Sequence, residues 1–232
     1  MREVDNELNP VEDGTHRIGR GVFLATLAGG LTSLFWGKAA WGHVSGALGG
    51  VGAALGPGSG WRIYTVAATM PSFDPATWRL KIGGLVENPM ELSYDELRAL
   101  PQASEVRDFH CVTGWSVGNV HWRGVRFQDL LAKARPHRDA TALQFVSAEV
   151  PYVDYLTLKQ ASLPDAMLAW EMDSKPLPRE HGAPVRVVIP EMYGYKNVKW
   201  VAEINLVRRA GSGYWENLGY DRNAWVGRSN GY

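Results

Sequence analysis

From Trp61 onward, short strand-like runs and short amphipathic helices follow one another with no regular strand–helix–strand repeat, and that irregular order limits the possible folds more than any other feature. Residues 77–82 (TWRLKI) alternate as a half-buried strand does and stop at Gly83-Gly84. Ser93, followed three residues later by Glu96, forms the capping-box pattern and opens a short helix that reaches Leu100 before Pro101 ends it. Phe127–Ala134 (FQDLLAKA) is a second amphipathic helix. Ala142–Ser147, Met167–Met172, 185–189 and 199–207 read as strands, and Asp173-Ser174 suits a hairpin turn between Met172 and Lys175. Many strands and few helices predict an α+β domain, strand-rich with short helices, and argue against a doubly wound sheet.

The start of the chain has a different character. Residues 14–73 contain no Asp or Glu, and residues 21–36 (GVFLATLAGGLTSLFW) form an apolar run behind Arg17 and Arg20. Positive residues ahead of a short apolar segment are the pattern of an export signal or signal-anchor. The run is shorter than the roughly 20 residues of a membrane-spanning helix, and extending it to Trp41 takes in Lys38, whose ammonium can snorkel. Arg20-Gly21-Val22-Phe23-Leu24 resembles the twin-arginine export motif, with glycine in place of the second arginine. A buried N-terminal helix is the competing reading. Residues 42–60 are rich in Gly and Ala and read as a linker. The expected organisation is therefore a tail, an apolar signal or anchor over about 21–41 and a linker within 1–60, ahead of one domain over 61–232.

With 24 basic and 24 acidic residues the chain has no basic surplus to attract nucleic acid. Its single cysteine excludes an internal disulfide. That cysteine lies in the window 108–125 (DFHCVTGWSVGNVHWRGV), which crowds His110, Cys111, Trp115, Asn119, His121 and Trp122 into what reads as one loop. Zinc needs about four N or S ligands at tight spacing, and this window lacks them. Read alone, Cys111 also fits a buried small hydrophobe. A second window, 181–200 (HGAPVRVVIPEMYGYKNVKW), gathers Arg186, Lys196 and Lys199 with His181 at one end of a strand. Such a cluster suits a phosphate-bearing ligand, although a solvated strand end would look the same.

Together the windows resemble the molybdopterin-binding domain of the sulfite-oxidase superfamily, which includes sulfite oxidases, plant-type nitrate reductases and bacterial methionine-sulfoxide-reducing molybdoenzymes. The resemblance runs over about 74–207, from DPATWRLKIGGLVENP through the Cys loop with WRGVRFQDLL to MLAWEMDSKPLPREHGAPVRVVIP and YGYKNVKW, in matching order and spacing. It implies a sulfite-oxidase-type fold and a molybdenum–molybdopterin cofactor. Cys111 matches the cysteine whose sulfur binds the metal, as suits a soft thiolate. His181 and Arg186 match positions that contact the pterin and its phosphate, and Lys196, Asn197 and Lys199 match the phosphate-holding loop. Ser147 aligns with a polar contact to the cofactor in the bacterial reductases, and Tyr152 with the active-site tyrosine of sulfite oxidases. His110, His121 and Tyr193 are further candidates for the substrate cavity.

Thr65, Val66 and Ala67 stand where the family usually has a polar cluster whose Arg helps sulfite oxidases bind an oxyanion, and residues 112–116 (VTGWS) look more like the bacterial reductases. The implied activity is two-electron oxygen-atom transfer on a small sulfoxide- or sulfite-like oxo-substrate. No haem or flavin signature is present, so electrons are expected to pass to or from a separate partner. The apolar run places that partner at the membrane, a b-type cytochrome as in the bacterial reductase systems, with the domain on the extracytoplasmic side of the cytoplasmic membrane. The alternative is a non-catalytic member of the family that keeps the fold and docks to a membrane redox complex.

Overall fold

The structure, a computed structural model, describes residues 60–230 together with the strand β1 (Ala54–Leu55). The apolar segment expected over about 21–41 lies outside the described residues. Within the stretch expected as a linker, β1 pairs antiparallel with β2 (Arg62–Ile63).

The first of two five-stranded sheets is mixed. Its central strand, β12 (Val201–Val207), runs parallel to β3 (Arg79–Gly84) on one side and antiparallel to β7 (Ala142–Ser147) on the other. β4 (Met90–Ser93) extends it beyond β3, and β8 (Val153–Thr157) beyond β7. In β3 the expected alternation is present: Leu80 and Ile82 are buried while Arg79 and Lys81 face solvent. The strand starts two residues later than the periodicity suggests because Thr77 and Trp78 belong to a turn, their N–H groups donating to the Asp74 carbonyl at 3.3 and 2.9 Å. α1 (Tyr94–Arg98) opens with both arms of the Ser93–Glu96 capping box and ends ahead of Leu100. α2 (Phe127–Ala134) buries Phe127, Leu130 and Ala134 on one face, and α3 (Leu158–Ala161) is a single capped turn.

The second sheet contains β5 (Ala103–His110), β6 (Ser116–Arg126), β9 (Met167–Met172) and β10 (Lys175–Pro176), with β11 (Arg186–Val188) also pairing with β9. β9 is apolar from Met167 to Trp170 because both of its faces are covered there. Leu168 and Trp170 join the main core, while Met167 and Ala169 pack in a second cluster with Trp61 and Trp122. Asp173 and Ser174 have φ of 51° and 61°, the left-handed pair that a two-residue hairpin turn from β9 to β10 demands.

The window 108–125 is not one loop. Its flanks are β5 and β6, paired antiparallel, and only residues 111–115 form the turn between them. A register shift between Arg107 and Phe109 and a left-handed Asn119 (φ 54°) break the two-residue period, so alternation is lost where the strands are continuous.

Candidate cofactor and active site

A cavity, about 860 Å³ with its solvent-open mouth included, opens where the β5–β6 turn, the segment around Trp61–Val66, the 3-10 turn Arg179–His181, the loop after β11 and the C-terminal segment converge. Cys111 enters it from the β5–β6 turn, which is closed by the Cys111 N–H donating to the Trp115 carbonyl at 2.9 Å and the Gly114 N–H to the Cys111 carbonyl at 3.0 Å. The sulfur lies 3.2 Å from the Thr113 hydroxyl. Burial pushes the thiol up, opposed by Thr113, Arg62 and the Trp115 side chain. The buried Trp115 indole N–H makes no full hydrogen bond; the group it acts on is the Cys111 thiol.

The other end of the cavity is cationic. Arg186 is 3% exposed, and its guanidinium lies 5.3 Å from the Phe109 ring centre and 5.2 Å from that of Trp122. It donates to the carbonyls of His181 (3.1 Å), Asn197 (3.3 Å) and Val187 (3.4 Å), and no carboxylate among the described residues pairs with it. Burial lowers its pKa to about 10. Lys199 donates to the Tyr64 carbonyl at 2.7 Å and packs its ammonium 4.0 Å from the Trp200 ring centre. Burial and then Arg186 lower Lys199 to about 7. The backbone makes room for it at Gly182, where φ is 108° and a Cβ would sit 2.8 Å from that of Lys199.

His181 lies against Trp61, ring centres 4.8 Å apart, and its pKa falls to about 4 through burial, Arg186 and Lys199. It is therefore a neutral ring at the cavity and not part of the positive charge expected there. Asn197 lines the cavity but spends its amide on the loop, accepting from Ile189 N–H at 2.6 Å and donating to the Met192 and Tyr193 carbonyls at 3.4 Å. Tyr152 lines the cavity with its hydroxyl donating to the Tyr195 carbonyl at 2.5 Å. Ser147 stands at the end of β7, donating to the Lys199 carbonyl at 2.7 Å and accepting from Glu149 N–H at 3.0 Å, so it steadies Lys199 from behind.

Besides Ser147, four expected residues lie away from the cavity lining. Lys196 is buried in an ion-paired cluster with Asp154 and Glu216. His110 pairs its Nδ1 with the Ser116 hydroxyl at 2.8 Å across the hairpin, His121 is exposed on β6, and the Tyr193 hydroxyl accepts from Gly227 N–H at 3.1 Å. In exchange, the cavity uses Trp115, which the sequence reading named without a role, and side chains that it passed over: Trp61, Tyr64, Glu149, Trp215 and Tyr220. The ten tryptophans were a signal for the aromatic walls. Glu149 had none, because its carboxylate accepts from the backbone of Val66 (2.7 Å) and Ala67 (3.3 Å), more than eighty residues away.

A part-buried thiol, a buried Arg186 with no carboxylate in ion-pair distance and a part-buried Lys199 that Glu149 and Glu180 offset only in part, on a single aromatic-walled cavity, define a domain built to hold an anionic organic cofactor with a soft-metal ligand. The model described as "Oxidoreductase molybdopterin binding domain" matches residues 67–215, and the chain belongs to that family, within the sulfite-oxidase superfamily of oxidoreductases. The residues present fit its cofactor: a thiol for the metal, cations for the phosphate and aromatic walls for the pterin.

Similar proteins include the uncharacterized oxidoreductase YuiH of Bacillus subtilis, 36% identical over 63% of this chain and 74% of that one. A putative protein-methionine-sulfoxide reductase subunit, YedZ1, of Azospira oryzae is 34% identical over 67% of this chain and 58% of that protein. The protein-methionine-sulfoxide reductase catalytic subunit MsrP of Xanthomonas axonopodis is 32% identical over 61% and 48%. The match thus spans about half the length of the named reductase subunits. The crystal structure of the sulfane dehydrogenase SoxCD of Paracoccus pantotrophus shares the fold, with a TM-score of 0.57 at 24% identity over 62% of this chain and 41% of that one.

Proposed function

We propose that this chain reduces a small sulfoxide-like substrate by two-electron oxygen-atom transfer, with Cys111 as the protein ligand to molybdenum and Arg186 and Lys199 holding the phosphate end of the cofactor. The observation that carries the reading is the shared cavity: the Cys111 thiol, Arg186 and Lys199 face one space. Bound molybdenum supplies the oxygen-atom and two-electron chemistry. A sulfoxide, two electrons and two protons become a sulfide and water. The chain binds and orients the reacting groups. Trp115 turns its N–H toward the thiol, and Tyr220, whose pKa is pushed up to about 12 by burial and by Cys111, keeps its proton as a hydrogen-bond donor at that end. Tyr152 contributes its ring to the wall while Tyr195 occupies its hydroxyl.

Relatives named as methionine-sulfoxide reductase subunits favour sulfoxide over sulfite as the substrate class. So does the absence of a cationic side chain at Thr65, Val66 and Ala67. In this reading residues 61–232 are the oxidoreductase domain, and residues 1–60 carry it to the extracytoplasmic face of the membrane by the apolar segment near 21–41. A b-type cytochrome there exchanges electrons with it. No helix among the described residues is long and apolar enough to cross a membrane. The test is an assay of cofactor-loaded protein with an artificial electron donor and a sulfoxide, and with an electron acceptor and sulfite. Sulfoxide turnover is expected; sulfite oxidation alone would reverse the assignment.

A further inference from the structure

A fully buried charge cluster stands behind the aromatic side of the cavity. Lys196, Asp154 and Glu216 each have side chains only 2% exposed. The Lys196 ammonium donates to Asp154 Oδ1 at 2.7 Å, to the Tyr155 carbonyl at 3.1 Å and to Glu216 Oε1. An ammonium has three protons, so these three acceptors leave none for a ligand phosphate.

The same contacts grip the C-terminal segment. Glu216 Oε2 accepts from Gly213 N–H at 3.0 Å, and the chain presses so closely there that a Cβ on Gly213 would lie 2.5 Å from Asp154 Oδ1. Tyr214 donates its N–H to the Val153 carbonyl at 2.8 Å and stacks on Tyr152, ring centres 5.6 Å apart. Next to Lys196, the Tyr195 hydroxyl donates to the Asp221 carbonyl at 2.6 Å and its ring packs 5.3 Å from that of Tyr220. Tyr193 N–H donates to the Ala224 carbonyl at 2.8 Å. The 193–196 turn is thus the seat of the segment that delivers Trp215 and Tyr220 to the cavity.

We infer that Lys196 is a positioning residue for the substrate end of the cavity: through Asp154 and Glu216 it fixes the segment 213–220, and with it the Trp215–Tyr220 wall, and it does not hold the cofactor. This rests on the reading of the cavity as the cofactor and substrate site. The role differs from the phosphate contact that its place in the YGYKNVKW motif suggests.

The test compares the full chain with Lys196→Met, Lys196→Arg, Glu216→Gln and Arg186→Met variants, all made in a host that synthesises the cofactor. Lys196→Met is expected to keep wild-type molybdenum and pterin content. Its KM for a sulfoxide should rise by about 10-fold or more, with a smaller change in kcat, and backbone hydrogen exchange over 213–220 should accelerate. Lys196→Arg should restore part of both effects. Glu216→Gln, nearly isosteric, should reproduce them from the other side of the contact, and it decides the matter if Lys196→Met does not fold. Cofactor loss in Lys196→Met as deep as in Arg186→Met, with exchange over 213–220 at the wild-type rate, would overturn the inference. Exchange needs no cofactor. A wild-type chain that took up no molybdenum would therefore count against the cofactor reading, while unchanged or accelerated exchange would still reject or support the anchoring role.

Discussion

Arg186 and Lys199 share one wall of the cavity, and Arg186 helps hold the Lys199 ammonium down to about 7, second only to burial. No carboxylate among the described residues lies within ion-pair distance of either cation. Glu149 and Glu180 offset Lys199 only beyond ion-pair distance, so the two charges oppose folding until a ligand supplies a close anion. The wall is thus preorganised for a phosphate at some cost to the cofactor-free protein.

Replacing Arg186 by Met separates these two roles. The variant frees three backbone carbonyls but relieves an unpaired buried charge, so the cofactor-free protein should change by only about 1 kcal/mol in denaturant unfolding. Cofactor-induced stabilisation should largely vanish. A variant that still binds the cofactor at wild-type stoichiometry would show that Arg186 does not hold the phosphate.

Lys199 sets a pH window. With its pKa lowered to about 7 it is charged below that value and neutral above it, whereas a bound phosphate favours the charged form. Cofactor retention is therefore expected to weaken as pH rises through about 7, and Lys199→Arg should flatten the profile. His181, lowered to about 4, stays neutral across that window and contributes nothing to it. Molybdenum retained after gel filtration at a series of pH values measures this directly.

Gly182→Ala tests how Lys199 is seated. The substitution meets a φ of 108° and a Cβ contact of 2.8 Å, so it should destabilise the protein by about 1–3 kcal/mol and weaken cofactor retention. Thermal unfolding and molybdenum content together check both effects.

Trp115→Phe keeps a ring beside Trp61 and Phe109 but removes the buried N–H that acts on the Cys111 thiol without a full hydrogen bond. Stability is expected to hold or rise slightly, while sulfoxide turnover falls by about 10-fold if that N–H acts at the thiol end. Unchanged turnover would assign Trp115 to packing alone.

Local signals carried much of the fold. α2, β7 and β9 have the bounds that the apolar pattern suggests, because each is a short element whose apolar side chains are buried in a hydrophobic cluster. The β5–β6 hairpin was hidden, since a bulge at Arg107–Phe109 and left-handed Asn119 erase the alternation that marks a strand. At the site, Cys111, Arg186 and Lys199 were visible through motif spacing, and they share the cavity. The surroundings of Lys196 were not, because the carboxylates that take its protons come from β8 and the C-terminal segment, 42 and 20 residues away. No local pattern records such a contact. The same holds for Glu149, whose partners are backbone groups of Val66 and Ala67.

The most direct test is molybdenum per chain by elemental analysis, on protein made in a cofactor-synthesising host, beside a Cys111→Ala control. The account predicts near-stoichiometric molybdenum and an electronic absorption band that the control loses, since a metal would draw the proton from a thiol that burial otherwise keeps neutral. Well-folded protein without molybdenum, or a control with the same metal content and spectrum, would contradict it.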